Sequence, residues 1–121
     1  MVDELLRRNR TWAEQQQALD SDFFSALAKG QSPEFFWVGC SDSRVSAELI
    51  TRRKPGEVFV HRNVANVVHP TDLSLLSALE FAIEVLGIRK ILVCGHDNCG
   101  GIRASTEARN HGLADHWLEP V

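Results

Sequence analysis

Several features that would assign a chain to a familiar class are missing from this sequence of 121 residues. No apolar run approaches the roughly 20 residues that a helix needs to span a bilayer, so no membrane span is predicted. The segment 1–17 is polar and charged, which is not the pattern of a secretory signal. Neither a G-x-G-x-x-G run nor a P-loop is present, which argues against a nucleotide-binding domain.

The charge and the cysteine content narrow the class further. Charged residues make up 24% of the chain and the net charge of -3 is mild, as in ordinary globular proteins. The basic cluster at 52–54 has no aromatic residues between its charges, so it predicts a solvated helix end rather than a nucleic-acid surface. Three cysteines are too few for a disulfide scaffold. Metal or redox chemistry in a reducing compartment is the expectation, and we expect the cytoplasm.

The apolar pattern predicts a single α/β domain over residues 1–121. Residues 1–30 are expected to form an N-terminal helical arm that is broken at 20–22, and residues 34–121 the sheet core. Buried strands are predicted at 35–38, 58–60 and 91–94. Helices are predicted at 47–53, at 72–86 and from Gly100 onward, with a loop at 61–70. The alternation of strands and helices predicts a mostly parallel sheet flanked by helices.

Side chains that can bind a metal follow two of the predicted strands. Cys40 comes after the first strand, and His96 and Cys99 come after the third. Because open α/β sheets bind ligands at the carboxyl ends of their strands, these side chains are expected to meet at one edge. Two thiolates and an imidazole suit tetrahedral zinc, and three protein ligands with a fourth open position are typical of a catalytic site. Water bound to such a zinc ion has its pKa lowered to about 7.

Each of these residues also has an ordinary structural interpretation. A lone cysteine at a strand end is usually a small buried hydrophobe, and a His-x-x-Cys pair alone is weak evidence for a metal. Their common position at one sheet edge favours the metal site. Cys94 lies within its strand and is predicted to face the core. His61 and His69 are not expected to bind zinc, because the ligand set is complete without them.

Asp42 and Arg44 follow Cys40 at alternate positions, so an extended chain would place the three side chains on one side. An arginine can hold a carboxylate through two hydrogen bonds and keep it ionised. Asp42 then has two possible roles: it orients a zinc-bound hydroxide, or it becomes the fourth zinc ligand and closes the site. The structural alternative is an Asp-Arg pair that caps the helix beginning at Ala47.

Three segments together resemble the β-class carbonic anhydrases: CSDSR at 40–44, VHRNVAN at 60–66 and CGHDNCGG at 94–101. The resemblance implies a Zn²⁺ cofactor on Cys40, His96 and Cys99, with Asp42 and Arg44 as the catalytic Asp-Arg dyad. It implies reversible hydration of carbon dioxide to bicarbonate and a proton by zinc-bound hydroxide. The partners that it implies are carbon dioxide, bicarbonate and further copies of the chain, in a dimer or tetramer.

The resemblance extends to a bicarbonate-regulated subgroup of that family. Trp37, Gly39 and Arg62 match positions that frame a non-catalytic bicarbonate pocket in the subgroup. There the aspartate that matches Asp42 closes onto the zinc at lower pH and switches the enzyme off, and the same switch is expected here. Ser46 stands where many members have proline, and we expect little effect on the chemistry.

The family domain normally continues past the position of Val121 with further helices and another strand. The chain is therefore expected to be C-terminally truncated relative to the family. Two alternative functions stay open. One is a related zinc hydrolase that acts on carbon disulfide or carbonyl sulfide with the same ligands. The other is a zinc-binding fragment without turnover, against which the Asp42–Arg44 pair argues, because a structural zinc site needs no orienting carboxylate.

Overall fold

The computed structural model of the protein describes residues 1–108 and 110–121. The chain divides into two compact units, Met1–Gln31 and Ser32–Val121. In the described part of the chain, no helix combines the length and the apolar character that crossing a membrane requires. That residues 34–121 act as one zinc-binding core stays a prediction.

The first unit contains helix α1, Val2–Leu19, and helix α2, Phe23–Leu27. The predicted break between them is confirmed, and Asp22 immediately precedes α2. Asp20 leaves α1 in an extended conformation, and its carboxylate accepts a hydrogen bond from the Asp22 N–H at 3.0 Å. Trp12 of α1 contacts Phe23 and Phe24 of α2 edge-to-face, with ring centroids about 6 Å apart. These aromatic contacts join the two helices.

The second unit is built on a parallel sheet, as predicted. Its strands are β1, Phe35–Cys40; β2, Val58–Asn63; and β3, Lys90–Cys94. Their spatial order is β2–β1–β3, and both neighbours run parallel to β1. The central strand is buried along almost its whole length, which explains its continuous apolar run.

Helices connect the strands, and those predicted to begin at 47, 72 and 100 are present, with starts within one residue of the prediction. They are α3, Ala47–Thr51; a 3₁₀ turn, Val64–Asn66; α4, Leu73–Glu80, extended by a π-helical turn, Phe81–Val85; α5, Gly100–Thr106; and α6, Leu113–Leu118. Asp72 caps α4 by accepting a hydrogen bond from the Ser74 N–H at 3.1 Å. Gly87 follows the π-helical turn with a φ of +68°.

The main core lies between β1 and α4. Phe36 and Val38 project from one face of β1 and pack with Leu75, Ala82 and Ile88, all at most 2% exposed. This arrangement follows from the period of two along the strand and of 3.6 along the helix. The carboxyl ends of β1 and β3 lie outside this core and lead into polar loops at one edge of the sheet.

The strands β2 and β3 were predicted to be buried, and this prediction was wrong. The side chains of β2 are mostly half-buried, and Ile91, Leu92 and Val93 of β3 are 40–56% exposed. Within residues 1–108 and 110–121, β2 and β3 each have one neighbouring strand, so they are edge strands. Cys94, predicted to face the core, is only partly buried for the same reason.

The predicted loop at 61–70 was also partly wrong. Residues 61–63 extend β2 and pair with β1, and the 3₁₀ turn follows at once. Their polar side chains gave no apolar period, which is the reason that sequence analysis missed this part of the strand. The helix predicted at 47–53 ends at Thr51, since Arg52 takes a left-handed conformation with φ +52°.

Replacing Leu75 by alanine tests the core assignment. Leu75 is 1% exposed, and we expect L75A to lower the free energy of unfolding by about 2–5 kcal/mol through lost burial and a residual cavity. Leu73, on the same helix and 79% exposed, is the matched control, and L73A should change it by less than about 0.5 kcal/mol. Urea unfolding followed by circular dichroism measures both, and equal effects would contradict the assignment.

Candidate metal centre

Two loops at the carboxyl edge of the sheet bring three possible metal ligands together. Cys40 is the last residue of β1, His96 lies two residues beyond β3, and Cys99 immediately precedes α5. Their ligand atoms all lie within 4.8 Å of one another. Cys40 and Cys99 are 5% and 7% exposed. The parallel topology therefore produces the predicted cluster.

The distance between the two sulfurs fits a shared metal ion. The Sγ atoms of Cys40 and Cys99 are 3.9 Å apart, and both cysteines are free. A disulfide would need about 2.05 Å. Two thiolates bound to one tetrahedral zinc at about 2.3 Å would be about 3.8 Å apart. The observed spacing is close to the one expected for two thiolates that share a zinc ion.

The imidazole of His96 is oriented for the same role. Its Nδ1 lies 2.9 Å from the carbonyl oxygen of Asp97, a contact that holds the ring proton on Nδ1 and leaves the lone pair of Nε2 free. Nε2 is buried and has no hydrogen-bonding partner among the described residues. Since a buried nitrogen without a partner is costly, the chemistry of this donor set fits zinc.

Hydrogen bonds favour the thiolate form of Cys40, which is the form that binds metals. Burial raises the pKa of its thiol, but hydrogen bonds from the backbone N–H groups of Asp42 and Ala65, together with the proximity of the His96 imidazole and the Cys99 side chain, lower that pKa below its usual value. Both amides lie 3.4 Å from the sulfur. The nearby Cys40 side chain in turn raises the pKa of His96, against the effect of burial.

Asp42 and Arg44 form a bidentate ion pair beside the cluster of Cys40, His96 and Cys99. Arg44 donates from Nε and Nη2 to the two carboxylate oxygens of Asp42 at 2.9 and 2.6 Å, and its backbone N–H adds a third hydrogen bond at 2.9 Å. These hydrogen bonds hold the pKa of the Asp42 carboxyl well below its usual range. The chain reaches this geometry through a turn at 43–44 rather than by staying extended.

Asp42 lies beside the cluster of Cys40, His96 and Cys99, but its carboxylate is not one of the grouped ligand atoms. Its Oδ2 is 3.7 Å from His96 Nε2, and the two side chains are 16% and 10% exposed. Arg44 also donates to the carbonyl oxygen of Asn98 at 3.2 Å, which links the two loops of the site. The capping alternative was wrong: Ser46 precedes α3, and no described side chain caps its first turn.

Trp37, Gly39 and Arg62 lie side by side at the end of the sheet. Arg62 of β2 is opposite Gly39 in the register, and a Cβ at Gly39 would collide with the indole of Trp37. The Arg62 guanidinium donates to three carbonyl oxygens of the 40–45 loop, those of Cys40 at 2.8 Å and of Asp42 and Val45 at 2.6 Å. In this arrangement Arg62 fixes the loop.

Other histidines and cysteines of the chain lie outside the cluster. His69 has its Nε2 2.7 Å from the carbonyl oxygen of Trp117, and the Cys94 thiol contacts the neighbouring carbonyl of Gly95 at 3.4 Å. His61 sits on β2. Sequence analysis missed the backbone N–H of Ala65 and the carbonyl oxygen of Asn98, because main-chain donors and acceptors leave no residue-type signal.

Residues 35–121 match the family described as carbonic anhydrase. The fold agrees with a tetrameric β-carbonic anhydrase of Sordaria macrospora at a TM-score of 0.94 and 42% identity, over 98% of this chain and 61% of that chain. The chain belongs to the β-carbonic anhydrases. Another β-carbonic anhydrase structure, that of Coccomyxa with acetazolamide, agrees at a TM-score of 0.93 and 43% identity, over 99% of this chain and 55% of that one.

Among curated relatives, the carbonic anhydrase of Emericella nidulans is 45% identical over 119 residues, which are 98% of this chain and 52% of that protein. This β-carbonic anhydrase chain thus spans about half the length of that relative.

Proposed function

We propose that the protein catalyses the reversible hydration of carbon dioxide to bicarbonate and a proton, with zinc held by Cys40, His96 and Cys99. The observation that carries the proposal is the buried sulfur–nitrogen–sulfur cluster with an ionised Asp42–Arg44 pair beside it. A zinc ion in this cluster would supply a water-derived nucleophile near neutral pH. Membership of the β-carbonic anhydrases supports carbon dioxide as the substrate.

Asp42 has the position and the charge to orient the attacking water. Its carboxylate stays ionised because Arg44 binds both oxygens, and an ionised carboxylate is a hydrogen-bond acceptor only. Arg44 keeps the carboxylate in one orientation through parallel hydrogen bonds. Asp42 therefore loses little conformational entropy when it accepts a hydrogen bond from the water. Arg44 therefore acts on the reaction through Asp42.

The alternatives from the sequence predict different assay results. A hydrolase of carbon disulfide or carbonyl sulfide would use the same three ligands, so only turnover of each substrate separates the two activities. A zinc-binding fragment without turnover would bind the metal and leave carbon dioxide unhydrated. The similarity to carbonic anhydrases at 45% identity favours carbon dioxide over the sulfur-containing substrates, and the hydration assay separates it from the fragment without turnover.

The three cysteines provide a matched test of the metal site. Cys99→Ser should lose the single zinc per chain and abolish hydration, because serine is a poor zinc ligand. Cys94→Ser, outside the cluster, should keep both. Native mass spectrometry counts the zinc, and stopped-flow assays with a pH indicator measure hydration. Zinc retained in Cys99→Ser would contradict the ligand set, and zinc without hydration in the unaltered chain would favour one of the alternatives.

We further propose that Trp37, Gly39 and Arg62 form a regulatory bicarbonate site, as in the subgroup that the sequence resembles. This proposal is supported by the hydrogen bonds through which Arg62 holds the carbonyl oxygens of the 40–45 loop. An anion that competes for this guanidinium would release the loop that carries Asp42. Asp42 could then leave Arg44 and approach the metal, which would switch the enzyme off.

Bicarbonate inhibition tests this regulatory site. The unaltered protein should lose activity as bicarbonate is added and as the pH falls. Trp37→Phe removes an indole N–H, and loss of one hydrogen bond to a charged group should weaken the inhibition roughly tenfold. Trp12→Phe, in the first unit, is the control and should leave the inhibition constant unchanged. Activity that stays flat with pH and bicarbonate would rule the site out.

We also propose that the protein self-associates as a dimer or tetramer. The related Sordaria structure is tetrameric. In the described chain, all 18 residues of α1 remain unburied, and its apolar side chains Leu5, Leu6 and Trp12 are 42–66% exposed. Leu5 and Trp12 lie two turns apart on one face of the helix, and an exposed apolar face of this kind is typical of a surface that is covered in an assembly.

A charge placed on α1 tests the association. Leu5→Glu puts a carboxylate on the apolar face and should shift the protein toward monomer, whereas Gln15→Glu adds the same charge at an exposed polar position of the same helix and should not. Sedimentation velocity at several concentrations measures the distribution. A monomeric unaltered chain would contradict the proposal, as would equal behaviour of the two variants.

A further inference from the structure

We propose that Gly101 is a positioning residue of the metal centre, because its missing side chain lets the turn at 63–67 hold the Ala65 N–H against the Cys40 sulfur. The inference rests on the proposed metal site. It assigns a role to a segment that contains none of the three metal ligands.

The turn is held in a conformation that its residues do not prefer. Ala65 and Asn66 have φ values of +65° and +46°. Left-handed conformations are unfavourable for residues other than glycine, and two in succession without a glycine are uncommon. Such backbone persists only where surrounding contacts impose it. The contacts around the turn should therefore be identifiable.

Side-chain hydrogen bonds close the turn from two sides. The Asn63 amide bridges it, since Nδ2 donates to the Val67 carbonyl oxygen at 2.8 Å and Oδ1 accepts from the Val67 N–H at 2.7 Å. From α6, the Trp117 indole N–H donates to the Val64 carbonyl oxygen at 2.8 Å. These contacts fix both ends of the turn and leave the Ala65 N–H pointing at Cys40.

The remaining side of the turn packs directly on α5 at Gly101. A Cβ at Gly101 would lie 2.8 Å from Cγ1 of Val64, 2.9 Å from Cβ of Ala65 and 3.3 Å from the Ala65 nitrogen. The first two separations are too short for carbon atoms, which pack best at about 3.5–4.0 Å. Any side chain at Gly101 would therefore push the turn away from α5. At Gly100, no described atom outside the glycine itself, its chain neighbours and the nearby backbone of its own helix lies within 4 Å of the corresponding Cβ.

Displacing the turn would remove one of the two main-chain hydrogen bonds to Cys40. The Asp42 and Ala65 amides each donate to the sulfur at 3.4 Å. Ala65 is 3% exposed, so water does not readily replace its amide as a donor. Groups that orient and polarise a metal ligand typically change metal affinity by roughly 10- to 100-fold when they are lost. We expect Gly101→Ala to weaken zinc binding by a factor in this range.

Cadmium-113 NMR of the full chain tests the inference directly. An amide proton that is hydrogen-bonded to a metal-bound thiolate acquires a scalar coupling to the metal nucleus. In the unaltered protein loaded with ¹¹³Cd, the amide protons of Ala65 and Asp42 should both show this coupling. Gly101→Ala should lose the Ala65 coupling and keep that of Asp42, which serves as the internal control.

Two further variants complete the test. Gly100→Ala should keep both couplings and unaltered zinc affinity. The double variant Gly101→Ala with Ala65→Gly should recover the amide coupling at residue 65. The contact with Cβ of residue 65 is then absent, and the exposed Val64 side chain can turn away from the new methyl group. Glycine also accepts the left-handed φ at this position. If Gly101→Ala alone fails to fold, the double variant still tests the inference through the amide coupling at residue 65.

The outcomes separate this inference from the proposed function. If ¹¹³Cd binds with couplings to the Cβ protons of Cys40 and Cys99, the metal site stands. Absence of the Ala65 coupling in that protein, or its survival unchanged in Gly101→Ala, would overturn the role of Gly101 alone. Failure of the unaltered chain to bind ¹¹³Cd at these cysteines would overturn both.

Discussion

The hydrogen bonds from Arg62 to the carbonyl oxygens of Cys40, Asp42 and Val45 fix the loop that carries both a candidate metal ligand and the carboxylate next to it. Arg62 reaches these atoms because β2 pairs with β1 in a register that places it opposite Gly39. The geometry of the site is thus set by strand pairing. A shift of one residue in that register would turn Arg62 to the other face of the sheet and release the loop.

Charge balance explains why the groups around the cluster are paired as they are. Cys40 and Cys99 as thiolates, together with the Asp42 carboxylate, bring three negative charges into a partly buried volume. A divalent ion and the Arg44 guanidinium would compensate them, and the pKa of Arg44 is raised chiefly by its hydrogen bonds to Asp42 and further by both cysteines. The loops of the site are therefore joined by electrostatics as well as by packing.

Residue types at strand ends were sufficient to predict which side chains meet. Cys40, His96 and Cys99 could be placed together because parallel topology brings the carboxyl ends of β1 and β3 to one edge. Burial of β2 and β3 could not be predicted, since an apolar run does not reveal whether its strand lies at an edge. The amide of Ala65 was equally invisible, because its hydrogen bond depends on backbone conformation and on a tight contact with Gly101.

The parallel order of the strands also determines when the ligands can meet. Cys40 and Cys99 are 59 positions apart in the chain, and they approach each other only after β3 has paired with the central strand. Contacts between residues so distant in sequence form slowly, because the intervening chain must first be ordered. During synthesis, the first cysteine leaves the ribosome long before the second. Binding of a metal by this cluster would consequently come late in folding, after the parallel sheet has formed.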